Sequence, residues 1–466
     1  MENLDDIYTN QVEMYIKKNI SLLENNRILL LNIKSQLKNI LEIIGQINSK
    51  TVALGEEDSI YDLPYYWKIK YIKATVDDIR FPHSLFDSIF IFVDSKTTTL
   101  HLKPDELSRI LKPNSYVNLI FIDKNSASKK EEYLDLLSKY FEILSDEKFV
   151  VRLKNKKKSN KRNINTIYVY HPNLLRDGIT EYAKHLIFRL RKRGFNVVEG
   201  LPSVEDENNI VIVEYEELLA TTNKMKGLHE LPRNSFIEIH SRTIHEFRKD
   251  LIYLYHGIPS YYNLNFKEAN WYYVPHIAYE IEVPNVEKKY DFCSFGFWSQ
   301  FKRFDQIRKL KGKKKLVMSF NYLISDDKFV KEQCKKILRS PLGVICDTPL
   351  VSSRNLKFLV KLKYNLLRLY NVKVIVKDYI PFSDLIKELS ECKSFVFFQE
   401  TDAPSSGSMR LAAAFGTPVY AKDNLRSKDS QAIRFRDLKE IHRLPRESIN
   451  IDDGLDYILA LIEYKN

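Results

Sequence analysis

The sequence predicts an α/β protein built from several successive parts, and three observations predict it. From Thr51 onward, short strand-like runs rich in Ile, Val, Phe and Tyr alternate with amphipathic helical runs, the pattern of helices packed on sheets. Ahead of them, the segment up to about Ser49 shows helical periodicity with no internal proline. Between Lys154 and Arg162 a basic stretch without apolar periodicity separates two α/β regions and reads as a linker.

Size and composition agree with this division. At 466 residues the chain holds two or three domains of roughly 100–200 residues each. With 44% hydrophobic residues it buries ordinary cores, which excludes a chain disordered throughout. No apolar run approaches the roughly 20 residues that span a bilayer. The N-terminus, MENLDDIYTN, is acidic and lacks an apolar signal core, so a cytoplasmic location is expected. Cys293, Cys334, Cys346 and Cys392 are far apart, with no CxxC pair and no histidine at metal-ligand spacing. Four buried, reduced thiols are expected, with neither a zinc site nor a disulfide scaffold.

The net charge of +12 gathers in two clusters, RLKNKKKSNKR from Arg152 to Arg162 and KRFDQIRKLKGKKK from Lys302 to Lys315. Such runs attract nucleic acid, an acidic membrane surface or a phosphorylated ligand. A solvated linker and a surface helix explain them equally well. The Ile-, Lys- and Tyr-rich, glycine-poor composition hints at a thermophilic source.

In the first segment, apolar residues fall at Leu23, Leu30, Ile33, Leu37, Ile40, Ile44 and Ile47, alternating three and four apart from Leu30 onward. This is a heptad seam with Asn26 at a core position. A seam so narrow needs a partner helix, from a second subunit or from earlier in the same segment. Residues 1–50 are therefore expected to form a helical, coiled-coil segment that makes the chain a homo-oligomer or packs on itself.

Residues 51–155 alternate strands (SIFIFVD, SYVNLIFID, KFVVRLK) with helices (KPDELSRILK, KKEEYLDLLSKYFEIL). The stretches DDIRFPHSLFDSIF and HLKPDELSRILKPNSYVNLIFID, through Asp78, Phe86, Asp87, Ile89, Arg109, Leu111, Lys112 and Pro113, resemble the second half of class I methyltransferases. Those enzymes hold S-adenosylmethionine on a glycine-rich turn after their first strand, because glycine lets the backbone approach the cofactor. Upstream of Asp77 stand only Gly45 and Gly55, and too few residues for two strands and a helix. The segment is expected to be a partial, degenerate Rossmann-like domain without its cofactor half, and noncatalytic.

The remaining segment opens with the strand TIYVYH, a glycine-containing loop and the amphipathic helix in DGITEYAKHLIFRLRKRG, a βαβ beginning. Further strands read at NIVIVEY, SFIEIH, LIYLYH, YDFCSFG, KKLVMSF, VKVIVKDYI and KSFVFF. They suffice for two Rossmann-like halves with a boundary near Pro284–Lys289.

Four stretches of this segment resemble retaining glycosyltransferases of the sucrose-synthase and mannosyltransferase superfamily. They are DGITEYAKHLIFRLRKRGFNVV, YHGIPSYYN, FGFWSQFKRFDQI and YIPFSDLIKELSECKSFVFFQETDAPSSGSMRLAAAFGTPVYA. The resemblance implies a GT-B fold, two Rossmann-like domains, with an acceptor domain at residues 164–285 and a nucleotide-sugar donor domain at residues 286–466. It implies transfer from a nucleotide-sugar to an acceptor whose identity stays open, with retention of configuration. Gly178 would face the donor and acceptor. Lys302, at the place of the family's diphosphate-binding lysine, and the adjacent Arg303 would neutralise the leaving diphosphate. Asp378 and Tyr379 lie where the family holds the base.

The residues support this reading independently. In PSSGSMRLAAAFG, small polar residues run into an alanine-rich helix, and Ser405, Ser406, Gly407 and Ser408 would offer free N–H groups and hydroxyls to phosphate. A plain serine N-cap is the alternative. Glu400 and Asp402 stand ready for sugar or ribose hydroxyls. His256, in YHGIP, is the candidate catalytic residue that meets the sugar or the acceptor hydroxyl, with His240 next in line.

Two departures stand out. Phe297 takes the place of the family's arginine ahead of Lys302, and Leu411 that of a signature glutamate. Ser406, Ser408 and Arg410 are available to compensate. The sequence has no Asp-x-Asp pair, so neither a metal nor another cofactor is expected. The competing readings are a noncatalytic protein that binds nucleic acid or another partner on these scaffolds, and an active methyltransferase with an unrecognised cofactor loop.

Overall fold

The computed structural model describes residues 4–464 apart from 58–68, 76–78, 96–102, 173–177, 241–243, 245–246, 258–268, 298–303, 311–314, 321–371, 378–379, 399–406, 423–431 and the single positions 20, 22, 25, 49, 148, 159, 205 and 450. Three sheets organise the described residues. Residues 1–278 together with 450–466 form one compact unit, and residues 279–449 form a second.

The first sheet contains β1 (Ile28–Leu31), β2 (Thr51–Gly55), β3 (Lys70–Lys73), β4 (Phe86–Val93), β5 (Leu111–Phe121), β6 (Phe141–Asp146) and β7 (Val150–Asn155). Their order is β3-β2-β1-β4-β5-β7-β6. All pairs are parallel except those made by β7, which runs antiparallel to β5 and β6. The first strand reads ILLL and is buried throughout, the composition of a strand covered on both faces.

This corrects two expectations. The heptad seam is not one helix. Leu30 lies in β1, and the helices Leu4–Lys18 and Lys38–Ile47 flank that strand in the chain. Leu23, Leu30, Ile33, Leu37, Ile40 and Ile44 are buried in one cluster with Val12, Ile16, Ala53 and Phe90. The seam's partner is therefore the sheet, and its heptad spacing arises from a strand, a turn and a helix read as though continuous. Nor does the sheet lack its first half. Three strands precede β4, so this α/β region begins near Ile28 rather than at residue 51.

The second sheet is wholly parallel. It comprises β8 (Thr166–Tyr170), β9 (Val197–Glu199), β10 (Asn209–Tyr215), β11 (Phe236–Ile239), β12 (Ile252–Tyr255) and β13 (Asn270–Tyr273), in the order β13-β12-β11-β10-β8-β9. The helix Gly178–Lys192 buries Tyr182, Ala183, Leu186, Ile187 and Leu190, one face at helical spacing. Gly194 ends this helix with φ of +90°, and Phe195 N–H returns to the Leu190 carbonyl, a left-handed C-cap that glycine allows without strain.

The first two sheets share one hydrophobic core. Phe81 meets Tyr273 edge-on at 5.9 Å, Arg80 lies over the Tyr272 ring at 4.7 Å, and Tyr273 N–H donates to the Arg80 carbonyl at 2.8 Å. Among its described residues, the stretch from Lys156 to Asn165 has no helix or strand, as expected of a linker, but it is tied down. Lys157 Nζ donates to Ser84 Oγ and the Arg109 carbonyl.

The third sheet, also parallel, comprises β14 (Phe292–Phe297), β15 (Lys315–Phe320), β16 (Val372–Lys377), β17 (Phe395–Phe397), β18 (Val419–Lys422) and β19 (Ile433–Phe435). Its order is β16-β15-β14-β17-β18-β19. The expectation of reduced cysteines is corrected here. Cys293 on β14 and Cys392 form a disulfide, with Cα atoms 6.0 Å apart and a separation of 99 in sequence. The domain limits also differ from those expected. The helix Gly454–Glu463 belongs to the first unit, and the boundary falls between Ala278 and Tyr279.

Candidate functional site

At the C-terminal edge of the second sheet, four strands bring an acidic and imidazole cluster together. Glu214 on β10 and Glu238 on β11 are register partners. Neighbours in parallel strands point to the same face, so two carboxyls sit side by side, both at 0% exposure. His240 follows β11, His256 follows β12, and His276 follows β13.

Hydrogen bonds fix the group. His240 Nε2 lies 2.7 Å from Glu214 Oε2. Tyr182, from the helix Gly178–Lys192, donates its hydroxyl to Glu238 Oε1 and accepts the Ile277 N–H at 3.1 Å. His256 Nδ1 lies 2.7 Å from the Val274 carbonyl. A carbonyl only accepts, so Nδ1 carries the proton and Nε2 offers its lone pair in the neutral ring. That Nε2 is 3.4 Å from Glu238 Oε1. The rings of His256 and His276 approach to 3.7 Å between centroids, and His240 lies 5.2 Å from His276.

Burial governs the electrostatics. It pushes the Glu214 carboxyl up to about 8, a rise that the hydrogen bond with Glu238 partly opposes. Burial also holds Glu238 well above the usual carboxylate range, and the neighbouring charge of Glu214 adds to the rise. Two desolvated acids at register positions do not both ionise without a compensating positive charge. The arrangement can therefore hold protons or a cation.

Of the residues singled out in the sequence, His256 lies within this cluster at 1% exposure, and His240 lies beside it. Gly178 is the exposed first residue of the helix Gly178–Lys192. Gly407 and Ser408 begin the short helix Gly407–Ala413, in which Arg410 and Leu411 are buried. Lys302, Arg303, Asp378, Tyr379, Glu400, Asp402, Ser405 and Ser406 lie outside the described residues. Glu214, Glu238, His276 and Tyr182 were not anticipated. A signal existed for the two acids, because NIVIVEY and SFIEIH each place a glutamate among buried apolar strand positions.

In the first sheet the strand order reverses between β1 and β4, where a doubly wound sheet opens a ligand crevice. Here the chain's own side chains bridge that point. Asn32, at φ of 59°, donates to the Phe92 carbonyl at 2.6 Å, and Lys34 pairs with Asp94. The residues of the methyltransferase-like motif have structural partners. Asp87 accepts the Arg27 N–H at 2.8 Å and the Lys112 ammonium at 2.7 Å, and Arg109 donates to the Phe81 carbonyl. Asp78 lies outside the described residues.

The other two sheets carry the known doubly wound orders. Counted in chain order, the second reads 2-1-3-4-5-6 and the third 3-2-1-4-5-6, both with their reversal beside the first strand. No protein-family model and no curated protein matches the sequence. Solved structures align with parts of it. AviGT4, a glycosyltransferase involved in avilamycin A biosynthesis, aligns over 65% of this chain and 100% of its own, at 11% identity and a TM-score of 0.40. Alr3699/HepE of Anabaena, solved in complex with UDP and glucose, covers 64% of this chain and 97% of its own, at 9% identity and a TM-score of 0.38. The tRNA (m1A58) methyltransferase TrmI of Aquifex aeolicus covers 32% of this chain and 69% of its own, at 13% identity and a TM-score of 0.25. Among the described residues, the architecture is a mixed seven-stranded sheet followed by two parallel six-stranded sheets of doubly wound order. Among the described residues, no helix is long and apolar enough to cross a membrane.

Proposed function

We propose that the chain is a glycosyltransferase that moves a sugar from a nucleotide-sugar onto an acceptor, with retention of configuration. The observation that carries this reading is the 3-2-1-4-5-6 order of the third sheet. Ligands of such sheets bind beyond the carboxyl ends of the strands, at the reversal. The candidate donor residues follow those strand ends in sequence. Lys302 and Arg303 come after β14, Asp378 and Tyr379 after β16, and Glu400, Asp402 and the Ser405–Ser408 run after β17.

In this reading Lys302, Arg303 and the serine run take the diphosphate, Asp378 and Tyr379 hold the base, and Glu400 and Asp402 meet hydroxyls. Positive charge aimed at the leaving diphosphate stabilises the bond-breaking transition state, so no metal is needed on the diphosphate itself. The leaving diphosphate helps deprotonate the acceptor. Gly178 and the His256 cluster form the acceptor side, with the partly exposed His240 and His276 nearest to solvent. The first sheet serves as a noncatalytic scaffold, since Asn32 and the Lys34–Asp94 pair bridge its reversal point.

The test is thermal stabilisation of the purified chain by UDP-, GDP- and ADP-sugars, with S-adenosylmethionine alongside. A shift with one nucleotide-sugar that disappears in Lys302→Ala is expected. No shift with any of them would make Phe297 and Leu411 genuine losses of donor binding and favour a noncatalytic, partner-binding protein. A shift with S-adenosylmethionine would return the first sheet to catalysis.

A further inference from the structure

We infer that Glu238, His240, His256 and His276 form a site for one divalent transition-metal ion of the zinc class. One ligand atom from each of the four lies within 4.8 Å of the others. Around an ion bound at about 2.1 Å, tetrahedral ligand atoms are roughly 3.4 Å apart, so small side-chain rotations close the group onto an ion. Three imidazoles and one carboxylate suit zinc, nickel, iron or copper, whereas calcium and magnesium take oxygen sets. Four protein ligands also make a closed, structural site rather than one with an open catalytic position.

The surroundings favour an ion as well. Ligating histidines generally donate their second ring N–H to a carbonyl or carboxylate, which fixes ring and tautomer. His256 has this arrangement, with Nδ1–H on the Val274 carbonyl at 2.7 Å and Nε2 turned to Glu238. Glu214, hydrogen-bonded to His240 Nε2 at 2.7 Å, supplies a neighbouring carboxylate of the same kind. Tyr182 holds Glu238 from the other side.

Charge leads to the same conclusion. Glu214 and Glu238 are adjacent in register and fully buried, and among the described residues neither forms an ion pair with lysine or arginine. A doubly charged ion between the imidazoles and Glu238 compensates both acids. The ligands come from the ends of three adjacent parallel strands, β11, β12 and β13, so the sheet itself sets their spacing. The ion ties those ends together, and His256 then acts as a ligand rather than as a free base. This inference stands whether or not the chain transfers sugar.

The experiment uses the full chain, free of any affinity tag, stripped with chelator and then titrated with Zn²⁺ by calorimetry. Metal content after gel filtration and the visible spectrum with Co²⁺ serve as independent readouts. One Zn²⁺ per chain is expected, with Mg²⁺ unable to displace it and with a raised melting temperature. Glu238→Gln and His276→Gln should each weaken binding at least about 100-fold, and circular dichroism shows which variants remain folded. His171→Gln, which removes the separate pair with Glu199, should leave binding unchanged. No stoichiometric uptake by the folded wild-type chain, or uptake unaffected in folded His276→Gln, would overturn the site. Neither result depends on nucleotide-sugar binding, so the two proposals fail separately.

Discussion

Arg27 and Asp452, 425 residues apart in sequence, form a buried ion pair, with side chains at 3% and 1% exposure. Arg27 also bonds Asp456 at 2.6 Å and lies 4.8 Å from the Tyr457 ring centroid. Lys70 stands 3.7 Å from Asp452, and the Tyr457 hydroxyl donates to that carboxylate at 2.7 Å. Burial works against the charge on Arg27, but Asp452, Tyr457 and Asp456 overcome it and raise the guanidinium above its ordinary value. Burial likewise opposes the charge on Asp452, which Arg27, Lys70 and Tyr457 nevertheless hold below the usual range. The network fastens the last helix of the chain to the first sheet.

Breaking such a network leaves charges buried without partners, at about 3–5 kcal/mol. Asp452→Leu deprives both Arg27 and Lys70, whereas Arg27→Met leaves Asp452 with Lys70 and Tyr457. Urea unfolding should therefore rank Asp452→Leu as the costlier change. Equal or reversed losses would mean that the carboxylate is not the centre of the network.

His83 should contribute a pH-dependent stability. Burial, then Arg109, Lys157 and Arg80, pull its imidazole down to about 3, and Nε2 lies 3.3 Å from the Tyr272 hydroxyl. The unfolded ring titrates near 6.5. Between these values the unfolded chain binds a proton that the folded chain refuses, so stability falls as pH falls through that window. The slope for one proton is at most about 1.4 kcal/mol per pH unit. Between pH 6.5 and 5, His83→Gln should flatten the stability curve relative to wild type. Parallel curves would rule out a neutral, buried His83.

Much of the fold was legible in the sequence, and the reasons for success and failure are local. Runs such as NIVIVEY and LIYLYH are buried parallel strands and read as such, because a continuous apolar run has few other uses. The segment around Leu30 misled because ILLL is only four residues long, and its neighbours on either side carry true helical spacing. The candidate cluster was half visible. His256 and His240 stood out as histidines at strand ends, but Glu238, His240, His256 and His276 reach each other through sheet register. Metal-ligand spacing is a local signal, and this group is nonlocal.

The Cys293–Cys392 disulfide makes a prediction for the second unit. It closes a loop of 99 residues, and a crosslink of that span stabilises by roughly 2–4 kcal/mol, mainly by restricting the unfolded chain. Peptide mapping without reductant should recover these two cysteines in one linked peptide pair. Reductant, or Cys392→Ala, should lower the unfolding midpoint of residues 279–449 and spare the first unit. Recovery of both thiols alkylated from the native, oxidised protein would contradict the bond.

Gly454 should be intolerant of any side chain. It is buried at the start of the last helix, and a Cβ there would collide with the Pro275 carbonyl and crowd the His276 backbone. Its own N–H donates to the His276 carbonyl at 3.3 Å. The neighbouring Asp453 caps the same helix through Leu455 N–H at 3.1 Å and also accepts Ala278 N–H at 2.9 Å and the Arg189 guanidinium. This corner presses the helix against the strand end that carries His276, so a methyl group has backbone on its far side and no flexible side chain to displace. Overpacking of this kind costs typically about 1–3 kcal/mol, and the helix's own preference for alanine over glycine, up to about 1 kcal/mol, is too small to offset it. Gly454→Ala should therefore destabilise the first unit in urea unfolding. Asp453→Ala, which loses a cap worth about 1 kcal/mol and two further bonds, should do the same without the steric clash. An unchanged or raised midpoint in Gly454→Ala would mean that the helix start stands clear of Pro275, and the packing that positions His276 would have to be redrawn.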